Sequence, residues 1–200
     1  MKEKKIFTTR NLVLMAMFAA LSSVLMLFQF PMPFAPDFYK IDFSEVPVLI
    51  GAFAIHPVAG IIIELLKNLI NLFLDGTTTY FVGELSNFIC GVSFVFPCAL
   101  IYHHKKNKKS AIAGLGVGII TLAVVACLSN LFLILPIYAE TMGLKIQTFV
   151  DMGSAVNGFV NNLPTFILCT VAPFNIVKGG LNALLTILLY KHVSRLIHQH

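Results

Sequence analysis

Apolar runs separated by short polar breaks predict six helices, over residues 11–30, 46–55, 58–74, 82–102, 111–136 and 165–190. The first, from Asn11 to Phe30, has about 20 residues and at ~1.5 Å per residue spans a hydrocarbon core. It is too long for a typical signal-peptide apolar region, and no small-residue cleavage site follows it. Pro31 and Pro33 end it, because proline lacks the amide donor a helix needs. Pro31 to Glu45 then holds three acids (Asp37, Asp42, Glu45), Lys40, and the aromatics Phe34, Phe38, Tyr39 and Phe43. So aromatic a stretch, poor in Gly and Ser, is a structured loop rather than a flexible linker. It serves either as a lid over an apolar ligand or as an interfacial anchor.

His56-Pro57 splits the next apolar stretch into two short helices joined by a tight turn. A single interrupted span is the alternative, and it reverses all later topology. A turn signal at Asp75-Gly76 opens a loop that ends at Phe81. The span 82–102 is followed by the basic loop His103 to Lys109. Gly114, Gly116 and Gly118 crowd the start of the next helix, which suits close packing. Residues 137–164 are mixed in character and predict an amphipathic or re-entrant helix. Nothing resembles the alternating strands of a barrel.

Polar residues inside the apolar runs carry the candidate chemistry. Asn175, Lys178 and Asn182 fall on one helical face, at i, i+3 and i+7. A cation at bilayer depth costs roughly 2.5–3.5 kcal/mol on insertion scales, so Lys178 faces an interior cavity and is tolerated because a guest molecule needs it. Glu64, Lys67, Asn68 and Asn71 form a second stripe, at i, i+3, i+4 and i+7. Glu64 and Lys67 form either a structural ion pair or a ligand contact. Glu84 and Asn87 share a face at the start of the fourth helix, and Asn130 lies near the end of the fifth. With six spans, Asn68, Asn71, Glu84, Asn87, Asn130, Asn175 and Lys178 converge at one level beneath the aromatic loop. Amides and an ammonium suit a neutral, planar, hydrogen-bonding ligand, whereas a hard metal ion calls for more carboxylates.

Composition agrees. Apolar residues make up 58% and charged residues 12%, and the mean hydropathy is +0.87, far from a soluble domain. The net charge of +5 is no nucleic-acid footprint. The cations gather at Lys2, Lys4, Lys5 and Arg10, at Lys105, Lys106, Lys108 and Lys109, and at Lys191 and Arg195. Those are cytoplasmic positions under the positive-inside rule, with both termini inside, and only Lys40 and Lys145 then fall outside. Cys90, Cys98, Cys127 and Cys169 read as apolar core residues. No phosphate-binding loop or catalytic signature occurs, and no internal inverted repeat is evident. Six short spans around an outward-facing site make a receptor that needs a motor from partner chains. Ala16 and Ala20 offer a small-xxx-small face, for such a partner or for packing within the chain.

Several segments now resemble a known family. They are Phe38-Tyr39-Lys40-Ile41-Asp42-Phe43-Ser44-Glu45-Val46-Pro47, Leu66-Lys67-Asn68-Leu69-Ile70-Asn71, Gly76-Thr77-Thr78-Thr79, Val82-Gly83-Glu84-Leu85-Ser86-Asn87 and Pro173-Phe174-Asn175-Ile176-Val177-Lys178-Gly179. Together they resemble the riboflavin-specific S component (RibU type) of energy-coupling factor (ECF) transporters, over nearly the whole chain. The resemblance implies an all-α six-helix bundle in the bacterial plasma membrane, with no catalytic function, no metal and no cofactor. It implies capture of riboflavin from outside and assembly with a transmembrane coupling subunit and two ATPases. It carries the partner contact onto Ala16 and Ala20 and the ligand cap onto the Pro31–Glu45 loop, including Tyr39, Lys40, Ile41 and Asp42. Flavin contacts fall on Asn130, Asn175 and Lys178, with Glu84, Asn87 and Asn68 nearby. Members of the family often carry Gly-Gly after the threonines, where Tyr80-Phe81 stands here. An S component for thiamine or a pterin is the alternative, as is a membrane-embedded enzyme using Glu84, or Glu64 with Lys67.

Overall fold

The structure is a computed structural model that describes residues 6–198 except Thr78, with side chains as far as Leu189. Lys2, Lys4, Lys5 and Thr78 therefore lie outside the described residues, as do the side chains of Lys191, His192 and Arg195. Among the described residues, five apolar segments are long enough to cross a membrane: Thr9–Met26, Pro57–Asp75, Val82–His104, Lys108–Met142 and Leu163–Leu189.

Helix α1 (Thr9–Met26) is capped by the Thr8 hydroxyl, which accepts from the Asn11 amide. It stops short of the prolines expected to end it, because Phe30–Pro31 (β1) pairs antiparallel with Lys40–Ile41 (β2). The outer loop is thus folded back on itself as a small ribbon. Helix α2 (Glu45–Ala54) and helix α3 (Pro57–Asp75) are separate. His56 Nδ1 caps α3 by accepting from the Val58 amide, and Pro57 fills the first position, where no donor is missed. The remaining expected span, the second, over 46–55, corresponds to α2. Its 10 residues rise only ~15 Å, half of a ~30 Å hydrocarbon core. It is buried among its neighbours over almost its whole length.

Helix α4 (Val82–His104) is followed by α5 (Lys108–Ser129), a π-helical turn over Asn130–Ile134, and α6 (Leu135–Met142). These last three form one continuous rod, longer than the sequence pattern predicts, ended by Gly143 in the left-handed region at φ 65°. The expected amphipathic helix is α7 (Ile146–Val156), which buries Phe149, Val150 and Gly153. A second rod comprises α8 (Leu163–Phe166), a π-helical turn over Ile167–Val171, and α9 (Ala172–His198).

Helix α3 packs on α1, α2 and α4; α4 packs on α5, α5 on α9, and α9 on α2. That closes a ring α3–α4–α5–α9–α2, with α1 laid against α2 and α3. Helix α1 turns Met15, Ala19, Ser22, Ser23 and Met26 inward, and the Ser23 hydroxyl donates to the Lys67 carbonyl. Ala16 and Ala20 lie on the opposite, exposed face, so they do not pack within the chain. The α4–α5 approach depends on two of the three expected glycines. A Cβ on Gly114 would stand 2.7 Å from the Cys98 carbonyl oxygen, and one on Gly118 2.8 Å from that of Phe94. Gly116 faces open space. Phe53, Ile63, Phe94 and Tyr102 fill the ring's core at one end, and a cavity opens at the other.

Candidate functional site

The cavity is about 680 Å³, within the range of small-molecule pockets. Of the ring, α3, α4 and α9 line it, joined by the π-helical turn that continues α5 and by the outer loop. Helix α3 gives Asn71 and Asp75, α4 gives Glu84, Asn87 and Cys90, and the π-helical turn gives Asn130 and Ile134. Phe174, Asn175 and Lys178 come from α9, Tyr138 from α6, Phe149 from α7, and Asp37, Phe38, Tyr39 and Lys40 from the outer loop. Eight residues expected at the site therefore meet there: Asn71, Asn130, Asn175, Lys178, Glu84, Asn87, Tyr39 and Lys40. Asn68, Ile41 and Asp42 are not among the lining residues.

Those three stand behind the wall. Asn68 donates to the Glu64 carbonyl and carboxylate at 2.8 and 2.9 Å. Ile41 packs with Ala35 and Phe174. Asp42 accepts from the Lys178 ammonium at 3.0 Å, from the Ser44 amide at 2.9 Å and from the Ser44 hydroxyl. Its carbonyl accepts from Asn182 at 3.0 Å. The charge on Lys178 is thus neutralised by the protein itself, and no guest is needed for that. The expectation failed because Asp42 lies in a loop far away in sequence. What holds is that Lys178, paired in this way, still lines a cavity and not a sealed interior.

Burial pushes the Asp42 carboxyl up, but the Lys178 and Lys67 ammoniums and the Ser44 bonds outweigh it, so Asp42 titrates below the usual carboxylate range. A depressed folded value means that the stabilisation is full above the ordinary carboxylate pKa of about 3.9 and is lost as pH falls through the folded value. Asp42→Asn is therefore expected to lower thermal stability in detergent at neutral pH, and the deficit should shrink as pH drops below about 4. A deficit unchanged down to strongly acidic pH contradicts this account.

The second polar stripe is buried throughout: Glu64, Lys67, Asn68 and Asn71 are each at most 6% exposed. Lys67 bridges Glu64 and Glu45, both at 2.7 Å. Glu45 was read as a loop acid; it opens α2 and is 5% exposed. Of the two alternatives for Glu64 and Lys67, the structure has the ion pair.

The aromatic loop is fastened over the cavity. Tyr39 donates to Asn130 Oδ1 at 3.0 Å, and burial raises its phenol, which keeps it a donor. Its ring lies 4.7 Å from Phe38 and 5.0 Å from Phe174. Asn130 and Asn175 each donate through Nδ2 to a helix carbonyl, Ala126 and Val171 respectively, at 2.9 Å. That fixes both amides with the side-chain oxygen as the free end. An amide oxygen has two lone pairs, so Asn130 can serve Tyr39 and a ligand together. The π-helical turn widens the rod where Asn130 points inward, a common arrangement at functional sites.

Across the cavity, Glu84 Oε2 accepts from the Thr77 and Thr79 hydroxyls at 3.2 and 3.1 Å. Thr77 also receives the Phe81 amide and Thr79 the Gly83 amide, both at 3.0 Å. This knot holds Tyr80 and Phe81 at φ 50° and 69°, a region costing an L-residue roughly 1–2 kcal/mol. The turn keeps the backbone suited to Gly-Gly although the side chains have changed.

Among the lining residues outside the expected set is Asp75, at the end of the α3 helix that carries Asn71. Tyr138 and Phe149 carried no signal, since nothing in the mixed 137–164 stretch shows which aromatics return to the bundle.

Comparison with known proteins places this geometry. The sequence model of the family described as "ECF transporter, substrate-specific component" matches residues 10–190. The chain is 36% identical over 189 residues to the riboflavin transporter RibU of Staphylococcus aureus, covering 94% of this chain and 92% of that protein. It is 33% identical over 171 residues to the riboflavin transporter FmnP of Bacillus subtilis, covering 85% and 84%. A solved structure, described as the S component of a bacterial ECF transporter, superposes with a TM-score of 0.73 at 32% identity, covering 95% of this chain and 98% of that one. The enzyme reading falls with this match, because Glu64 and Lys67 are committed to each other and the family consists of transporter components. A multi-pass membrane protein with a cavity at one end of its helical ring, this chain belongs to the family of substrate-specific components of ECF transporters.

Proposed function

We propose that the chain captures riboflavin from outside the cell and delivers it inward with a coupling subunit and two ATPases. One observation carries this reading: the cavity sets aromatic rings beside two amides, Asn175 with its oxygen free to accept and Asn130 with one lone pair left beyond the Tyr39 bond. Phe38, Tyr39 and Phe174 offer faces for a planar ring system. The isoalloxazine edge carries an N–H flanked by two carbonyls. Asn175 Oδ1 accepts from the N–H, and Lys178, a donor with hydrogens to spare beyond Asp42, meets a carbonyl. Asn130, Glu84, Asn87, Tyr39 and Lys40 complete the contacts, while Ile41, Asp42 and Asn68 hold them from behind. Two relatives that match most of the chain are named riboflavin transporters.

The cation distribution sets the orientation, with the basic loop around Lys105 inside and the cavity outside. Ala16 and Ala20, exposed on α1, are the contact for the coupling subunit.

Asn175→Ala is expected to weaken riboflavin binding by about 1–3 kcal/mol, the cost of a buried hydrogen-bond partner lost. Quenching of flavin fluorescence by the purified protein measures it. Unchanged affinity, or wild-type protein that neither quenches nor copurifies with flavin, overturns the assignment. Tighter competition by thiamine or a pterin transfers the site to that vitamin.

A further inference from the structure

The end of the ring away from the cavity carries charge that the chain itself does not oppose. Lys105, Lys106, Lys108 and Lys109 are all exposed, in the short turn between α4 and α5 and the first residues of α5. Of the nine acids in the sequence, only Glu3, outside the described residues, belongs to the same end. Glu45 and Glu64 are buried in the ion-pair cluster, and the other six stand at the cavity end. Among the described residues, the ion pairs engage only Lys67 and Lys178.

Beside these lysines a crevice runs between α5 and α9. Lys108, Ile112 and Leu115 form its α5 side, Thr186 and Ile187 its α9 side, and Phe53 of α2 closes its floor. Gly116 follows Ile112 by one turn and Gly180 precedes Ile187 by two, so they carry the same seam deeper into the membrane. The two helices meet closely there: a Cβ on Gly179 would stand 3.0 Å from Leu122 and 3.3 Å from Ile119 of α5. At Gly116 and Gly180 an added Cβ would find no atom within 4 Å, and neither glycine has a positive φ. Glycine weakens a helix relative to alanine, yet neither packing within the chain nor backbone conformation calls for it at these two positions. A neighbour outside the chain that lies close against the backbone does.

The seam is one side chain deep, apolar along its length and headed by ammoniums. An α-helix, about 10 Å across, is too broad to lie in it. A soluble anion gains nothing from its apolar length. A hydrocarbon chain beneath a phosphate matches both parts, because lysine ammoniums hold phosphate oxygens as point charges.

We propose that the α5–α9 seam binds an anionic phospholipid, with its phosphate at Lys108 and Lys109 and an acyl chain along Ile112, Gly116, Gly180 and Ile187. With the basic loop inside, this lipid belongs to the inner leaflet. The proposal is independent of what occupies the cavity.

Native mass spectrometry of the purified full-length chain in neutral detergent tests it, with dioleoyl phosphatidylglycerol and dioleoyl phosphatidylcholine as probes. The two share acyl chains and differ in net charge. At low ionic strength phosphatidylglycerol is expected to bind at least ~5-fold more tightly, about the share of one lysine near a lipid surface. Added salt should narrow the gap. Lys108→Gln combined with Lys109→Gln should bring the two lipids to within about twofold of each other. Lys145→Gln, which removes an exposed cation at the cavity end, should leave the gap as it is. Gly116→Leu meets no atom of the chain and fills the place of the acyl chain, so it should weaken both lipids by roughly 5-fold and keep the preference between them. Gly180→Leu makes the same test from the other side of the seam, should the first variant melt early without lipid. Equal wild-type affinity for the two lipids overturns the proposal. So does a preference that survives the loss of Lys108 and Lys109, or lipid binding indifferent to leucine at both glycines. Displacement of the lipid by inorganic phosphate gives the lysines to a soluble anion and overturns it as well.

Discussion

Replacing Lys67 with methionine is expected to destabilise the folded protein by about 3–5 kcal/mol, the range for removing one partner of a buried ion pair. Lys67 is 1% exposed and stands 2.7 Å from two carboxylates, Glu45 and Glu64, which come from different helices. Without it, two like charges face each other with no cation between them, and Oε2 of each is already without a hydrogen bond. The loss reaches beyond α3. Glu45 opens α2 three residues after Asp42, the partner of Lys178, so the bridge to Lys67 also holds the base of the outer loop. Unfolding in mixed detergent, followed by circular dichroism, measures the loss. Adding Glu45→Gln and Glu64→Gln to Lys67→Met should restore much of it, because neutral amides remove the repulsion. A Lys67→Met protein within about 0.5 kcal/mol of wild type, the range of an ordinary surface change, contradicts this account of the cluster.

The same cluster shows which parts of the molecule were legible in the sequence. The buried stripe Glu64, Lys67, Asn68 and Asn71 follows from helical spacing alone, because polar residues on an apolar helix turn away from lipid. Its partner Glu45 does not follow, because spacing relates only residues on one element. Asp42 and Glu45, read as loop acids between proline and aromatics, reach ammoniums on two different helices. The Tyr39–Asn130 bond joins residues 91 positions apart, and no local pattern encodes it. The π-helical turns carry no composition signal either, and both lie inside stretches predicted as plain helix. The shortness of α2 was visible in the sequence. How completely its neighbours bury it was not, because that depends on helices distant in sequence.

These long-range bonds give the outer loop a definite relation to the cavity. Asp42 fastens its end to α9 and Tyr39 fastens its middle to the π-helical turn, both at residues that line the cavity. Entry of a ligand therefore meets side chains already in use by the loop. The proposed flavin contacts and the loop share Asn130 and Lys178, so under that reading a change in loop position carries a differential free energy of binding.

Tryptophan at both Ala16 and Ala20 is expected to abolish riboflavin uptake while leaving riboflavin binding intact. Both alanines are exposed, on the face of α1 opposite Met15, Ala19, Ser22 and Ser23, which pack inward. Nothing inside the chain needs them small. In lipid, exposed apolar area alone gives no drive for association, so close helix contact depends on small residues that let backbones approach. Around the two alanines stand Val13, Met17, Leu21 and Val24, all exposed, a rim of larger side chains about a shallow trough. An indole in that trough holds a partner helix away without touching the cavity, to which α1 contributes only its last residue, Met26. Reconstitution with the coupling subunit and both ATPases separates the two readouts, ATP-driven flavin uptake into liposomes and equilibrium quenching by the S component alone. The double variant should lose uptake, keep wild-type affinity, and melt within about 0.5 kcal/mol of wild type, as surface replacements do. Uptake that persists removes the partner role from this face. Affinity that falls together with uptake means that α1 instead supports the cavity from within.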